Sequence, residues 1–399
     1  MFYTKRMENI MEIITSKRLD NFQTGIFAAL NEKKEEYMKT GKKMYNLFVG
    51  TPDFPVSKHV KEALIMSAKD PDNFHYSLKD IPELTNAVKD YYLRRYGVEV
   101  SEDEITSVNG SQEGIAHIGM AIADSGDYVL LPNPGYPVFE VSALLADATP
   151  YYYELREENN FLPKLDEIPE DVLKKTKYII VSYPYNPVCA VAPSEFYEDV
   201  IAFAKKHNII VIHDNAYSDI IYDGVYGGSF LSYPGAKEVG VEFFSLSKSF
   251  NLTGARISFV VGNKKIVDAM KLLRSQYDFG MFIPIQHAAI AALTGPLDDV
   301  KSQCLKYESR RNALCGGLRS IGWNVSDSKG TMFAWAKIPE KFGSSREFCM
   351  ELLEKTGVLC TPGSAFGTMG EGYVRFALVL PVEEIDEMIQ VIDESGILK

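Results

Sequence analysis

At 399 residues, with 46% hydrophobic and 24% charged residues, the chain has an ordinary globular composition and enough length for two domains. Lys and Arg number 42 against 54 Asp and Glu, and the net charge of −12 disfavours nucleic acid and anionic membranes as partners, leaving small-molecule chemistry. The five cysteines form no C-x-x-C pair, no export signal is legible and no apolar run is long enough to span a membrane, so a cytoplasmic setting is expected.

Met1, Met7 and Met11 are alternative starts, and the stretch before residue 45 carries no strong pattern. Apolar residues at helical spacing then predict helices over 84–96, 115–123, 135–145 and 196–206. Short apolar runs predict strands over 105–108, 128–131, 178–183, 209–213, 243–246 and 257–261. Such alternation, with unbroken apolar strands, calls for a mostly parallel sheet covered by helices on both faces. Ligands of such sheets gather at the carboxyl ends of the strands. After about residue 290 a helix over 297–320, strands over 332–336 and 374–379, and helices over 345–355 and 382–392 predict a smaller α+β domain. The expected division is a large domain over 46–290 and a small domain made of 1–45 and 291–399.

The strand ends carry the chemistry. Residues 105–108 run into Asn109-Gly110-Ser111-Gln112, a small-residue turn opening a helix, which suits a phosphate or simply a capped turn. Residues 178–183 run into Pro184-Tyr185-Asn186-Pro187, and 209–213 into Asp214-Asn215-Ala216-Tyr217. Residues 243–246 run into Ser247-Lys248, with Arg256 eight positions on. An Asp, an Asn, a Tyr, a Lys and an Arg thus converge on one rim.

Ser245-Leu246-Ser247-Lys248 with Thr253-Gly254-Ala255-Arg256 resembles the lysine motif of fold-type I, class I/II aminotransferases, of the aspartate and LL-diaminopimelate aminotransferase kind. Tyr183-Pro184-Tyr185-Asn186-Pro187, Asp214-Asn215-Ala216-Tyr217 and Tyr373-Val374-Arg375-Phe376 match the family's other markers in order and spacing. The resemblance runs from Val49-Gly50-Thr51-Pro52-Asp53-Phe54 to the final helix. It implies an α/β fold: a large cofactor-binding domain with a mostly parallel seven-stranded sheet between helices, aspartate-aminotransferase-like, plus the smaller α+β domain.

By the same resemblance Lys248 carries pyridoxal 5'-phosphate and acts as the proton-transferring base and acid. Asp214 pairs with the ring nitrogen, Asn186 and Tyr217 hydrogen-bond the phenolic oxygen, and Tyr136 stacks on the ring. Gly110, Ser111, Gln112, Ser245 and Arg256 surround the phosphate, where an Arg fork suits the dianion. Arg375, Gly50 and Asn186 face the substrate α-carboxylate. Tyr76 reaches the phosphate of a neighbouring subunit, which implies a homodimer with interfacial active sites. The expected reaction moves the amino group of an α-amino acid to a 2-oxo acid such as 2-oxoglutarate or pyruvate. The substrate side chain would meet residues from 22–27 and 279–282, with Tyr76, Tyr136 and Phe333, partly across the dimer.

Three positions depart from the family pattern. Val188-Cys189 stand where Thr-Gly is usual, Ala255 replaces an aromatic residue, and Asp80-Ile81 occupy a site that normally carries Gly. A pyridoxal-phosphate-dependent carbon–sulfur β-lyase of the same fold is the alternative function. Ser245-x-x-Lys248 with Lys355-Thr356-Gly357 also fits penicillin-recognising serine enzymes, although there the motif opens a helix rather than ending a strand. No G-x-G-x-x-G follows a strand, and no histidine pair has zinc-ligand spacing.

Overall fold

The computed structural model describes residues 13–22, 26–225 and 227–399. Its centre is a seven-stranded sheet of β1 (Ile105–Val108), β2 (Tyr128–Asn133), β3 (Thr149–Glu154), β4 (Thr176–Ser182), β5 (Ile210–Asn215), β6 (Gly240–Ser245) and β7 (Ser258–Gly262). The spatial order is β1-β7-β6-β5-β4-β2-β3, parallel throughout except β7, which runs antiparallel to both neighbours. Every residue of β1, β6 and β7 is buried, as expected for strands covered on both faces.

This order places function. The carboxyl ends of β1, β4, β5 and β6 lie on one rim, and antiparallel β7 starts there, with Ser258 paired to both Val108 and Ser245. The helices that follow the rim are α1 (Ser111–Ile122), α2 (Val138–Leu145) and α3 (Ser194–His207). The expected helix over 135–145 starts only at Val138, because Gly135 instead donates its N–H to the Phe366 carbonyl at 2.6 Å.

The smaller unit carries an antiparallel sheet in which β10 (Tyr373–Ala377) lies between β8 (Phe333–Lys337) and β9 (Thr361–Pro362). Tyr45–Asn46 pairs in parallel with Val358–Leu359, and Ala377 donates its N–H to the Leu47 carbonyl at 2.8 Å. These bonds hand residues 47–50 to the edge of the large sheet's rim. Strand β3 and the helices Lys58–Ser67, Lys264–Arg274 and Ile283–Thr294 have no counterpart in the expected elements. Strand β3 is an edge strand with one buried residue, so it has no apolar run to reveal it. No helix among the described residues is long and apolar enough to cross a membrane.

Candidate active site

A cavity of about 400 Å³ opens on the rim of the sheet. Gly50, Ser111, Gln112, Tyr136, Asn186, Asp214, Tyr217, Ser245, Lys248, Arg256 and Arg375 all line it. Residues from opposite ends of the chain therefore meet as the motifs foretold. Gly110 is not part of the wall but lies beneath it. A Cβ there would sit 2.2 Å from a guanidinium nitrogen of Arg256, and the backbone has φ +89°, so glycine is required twice over.

One end of the cavity suits an anion. Helix α1 starts at Ser111, and the first-turn N–H groups of a helix have no acceptor within it. The hydroxyl of Ser111 donates to Ser258 at 3.1 Å, and that of Ser258 donates to Ser245 at 3.0 Å. Ser245 also caps the following turn by accepting from the Ser247 N–H at 3.1 Å. Arg256 is held by a bond from one guanidinium nitrogen to the Thr253 carbonyl at 2.8 Å. Ser258 was missed in the sequence; a polar residue opening the all-apolar strand two positions after Arg256 was the available signal.

The floor carries a buried acid. Asp214 is 8% exposed, and one of its carboxylate oxygens has no partner among the described residues. Burial pushes its pKa up to about 6, against the opposing pull of His213 and the Ala216 N–H. A carboxylate left half-satisfied in this way calls for a cationic donor. Tyr217 and Asn186 line the same cavity, and the Tyr136 hydroxyl donates to Gln112 at 3.2 Å.

Lys248 and Arg375 supply buried cations. The Lys248 amine donates to the Gly50 carbonyl at 2.7 Å, and burial, with the charges of Arg375 and Arg256, lowers its pKa to about 8. Arg375 donates to the Asn186 side-chain oxygen at 2.7 Å and to the Phe48 carbonyl at 3.4 Å. Its guanidinium is sandwiched between the rings of Phe333 and Phe366, 4.0 Å and 4.6 Å from their centroids. Burial lowers even this group to about 10. A Cβ on Gly50 would lie 2.3 Å from the Phe333 ring, so this glycine is fixed by the same aromatic residue. Phe366 was also missed in the sequence.

Pyridoxal phosphate fits these residues: an anion cradle at one end, a half-satisfied buried carboxylate under the ring position and an amine of lowered pKa between them.

The family model for aminotransferases of class I and II matches residues 42–392. The chain belongs to the class I and II aminotransferase family. LL-Diaminopimelate aminotransferase from Dehalococcoides mccartyi (strain ATCC BAA-2266) is 43% identical over 376 residues, covering 94% of this chain and 97% of that protein. The enzyme of the same name from Halothermothrix orenii is 42% identical over 382 residues, covering 95% and 98%. Substrate-bound BacF from Bacillus subtilis superposes with a TM-score of 0.93 at 35% identity, covering 96% and 98% of the two chains. The protein is thus a pyridoxal-phosphate-dependent aminotransferase, and the fold and activity expected from its motifs hold.

Other expected residues, some of them meant for a neighbouring subunit, lie outside this chain's own cavity. Tyr76 is 86% exposed and lines no part of the cavity; its ring instead meets that of Phe279 at 5.8 Å. Phe279 and Phe282 likewise belong to that outer surface and not to the wall of the cavity. Of the 22–27 stretch, Phe22 is outside the wall, and 23–25 lie outside the described residues. Cys189 takes a left-handed φ of +63°, the conformation for which the usual glycine is suited, and its N–H still closes the turn onto the Tyr185 carbonyl at 2.7 Å. Lys355, Thr356 and Gly357 contribute nothing to this cavity, so the serine-enzyme reading lacks its second motif at the site.

Proposed function

We propose that the aminotransferase works with pyridoxal phosphate held on Lys248 and takes its amino group from LL-diaminopimelate, passing it to a 2-oxo acid such as 2-oxoglutarate. The observation that carries the site assignment is the convergence of Lys248, Asp214, Arg256 and Arg375 on one cavity. The donor assignment is supported by relatives of that name at 42–43% identity over nearly the whole chain.

Ser111, Gln112, Ser245 and Arg256 would hold the phosphate, with Gly110 giving Arg256 room beside the turn. Asp214 would pair with the ring nitrogen and keep its proton in place, while Asn186 and Tyr217 hydrogen-bond the phenolic oxygen and Tyr136 covers the ring. Bound pyridoxal phosphate supplies an electron sink for the charge developing at the substrate α-carbon. Arg375 clamps the substrate α-carboxylate, and the Gly50 backbone closes against it. The Lys248 amine takes the proton from the α-carbon and later returns one, a task that its lowered pKa suits near neutral pH. In this reading the large domain of 46–290 carries the cofactor, and 1–45 with 291–399 form the small domain over it.

The reading includes a homodimer. Phe74 packs on Phe282 and Tyr76 on Phe279, yet Phe74, Tyr76, Leu78 and Phe279 remain 62%, 86%, 72% and 52% exposed. Such an apolar surface suits a second copy of the chain, with Tyr76 reaching the partner's phosphate site. All five cysteines are free, in keeping with a reducing cytoplasm.

The test is glutamate formation from LL-diaminopimelate and 2-oxoglutarate by the protein supplied with pyridoxal phosphate. Turnover well above that with aspartate or phenylalanine supports the donor assignment; faster turnover of either alternative refutes it.

A further inference from the structure

The turn that meets the phosphate is strapped from behind by residues that do not line the cavity. At the end of β1, Ser107 donates both its N–H and its hydroxyl to Asp80, at 2.7 Å and 2.5 Å. Its carbonyl accepts from the guanidinium of Arg274, which is only 4% exposed. Arg274 closes the helix Lys264–Arg274 and also donates to the Asp278 carboxylate at 3.1 Å and to the Phe279 carbonyl at 3.4 Å. The same carboxylate oxygen of Asp278 accepts from the Asn109 side chain at 3.2 Å. The Asn109 N–H is taken by Glu113 at 3.0 Å.

The consequence is directional. The backbone N–H groups of Ser107 and Asn109 are occupied by carboxylates on the side away from the cavity, and the Gly110 N–H is taken by the Val108 carbonyl at 2.7 Å. The amides left for an anion are those of the first helical turn, beginning at Ser111. Three carboxylates would by themselves repel a phosphate dianion; Arg274 offsets that charge while fixing the β1 end and, through Asp278, the Asn109 side chain. Asp80, which stands where the family usually has glycine, adds an anchor to this strap.

We propose that Arg274, acting through Ser107, Asp278 and Asn109, is a positioning residue for the phosphate turn and therefore for the phosphate end of the cofactor. This rests on the reading of Ser111 and Gln112 as phosphate ligands. Its expected effect is confined to the phosphate end of the cofactor, which separates it from a role in general stability.

The experiment compares the dissociation constants of pyridoxal phosphate and of pyridoxal, which lacks the phosphate, in the full-length protein. Variants are Arg274→Met and the milder Asn109→Ala, with Arg256→Gln as a direct probe of the phosphate site. Loss of a charge-assisted bond is expected to weaken pyridoxal phosphate about tenfold or more in each variant, with pyridoxal binding unchanged. Equal weakening of both compounds, or of neither, by Arg274→Met and Asn109→Ala overturns the proposal. Should Arg274→Met fail to fold, Asn109→Ala decides alone. If Arg256→Gln also shows no phosphate-selective loss, the phosphate site itself is misplaced, and the proposal falls with it.

Discussion

The Lys248 amine donates a hydrogen bond of 2.7 Å to the carbonyl oxygen of Gly50, a residue 198 positions earlier that the small domain's sheet delivers to the rim. Burial, with the charges of Arg375 and Arg256, lowers the pKa of the same amine to about 8.

The first expectation concerns cofactor capture. Only the neutral amine attacks an aldehyde, and Lys248 becomes neutral around its lowered pKa of about 8, whereas an ordinary lysine stays charged up to about its usual value of 10.5. The rate at which cofactor-free protein takes up pyridoxal phosphate should rise with pH and level off near that value. Stopped-flow absorbance across the pH range checks this; a rate still climbing tenfold per unit above about pH 9 contradicts the burial argument.

Asp214 gives a stability signature with a definite sign. Its folded pKa of about 6 lies above the usual 3.8, so its contribution to the cofactor-free protein is fully present below 3.8 and is lost as pH rises through about 6. Melting curves should show Asp214→Asn gaining on the wild type over that window, by at most about 3 kcal/mol. In catalysis the order reverses. In the proposed arrangement, removing the carboxylate would deprive the ring nitrogen of its charge partner, and kcat is expected to fall about a hundredfold or more.

Phe333 and Phe366 fix the plane of the Arg375 guanidinium, so its substitution is expected to weaken donor binding and leave cofactor binding intact. Arg375→Lys keeps the charge but not the fork, and should raise KM for the amino donor about tenfold to a hundredfold. Cofactor affinity should stay within about twofold of the wild type, as titration of the cofactor-free variant will show. A large loss of cofactor affinity would place Arg375 at the cofactor and not at the substrate.

The outer aromatic surface provides a test of assembly. Phe279→Glu with Phe282→Glu puts charge into the apolar face around Tyr76 and should give monomers in sedimentation velocity, with cofactor held more weakly. An intact dimer would move the interface elsewhere.

How much of this was legible in the sequence follows from where the information lies. Asp214 and Lys248 sit at the ends of short apolar runs, so both the strand and the polar residue it presents could be read locally. Their convergence follows from the ordering of parallel strands. Ser258 escaped because its place depends on β7 running against its neighbours, which apolar content does not encode. Phe366 escaped because its contact with Arg375 is made between β9 and β10, where no periodic pattern exists. The strap behind the phosphate turn was invisible for the same reason: Asn109 and Asp278 are 169 residues apart. Cys189 is a different case. It stands where the family usually has glycine, yet the backbone keeps the left-handed shape with a side chain in place.

The most direct test of the central claim is the visible absorption spectrum of the purified protein with pyridoxal phosphate, followed during titration with LL-diaminopimelate and then a 2-oxo acid. The expected result is a lysine-linked band that the amino acid bleaches and the 2-oxo acid restores, absent in Lys248→Ala. A band unchanged in Lys248→Ala would contradict the assignment of Lys248, and release of ammonia and pyruvate from cysteine or cystathionine, in place of transfer to a 2-oxo acid, would replace transfer with elimination.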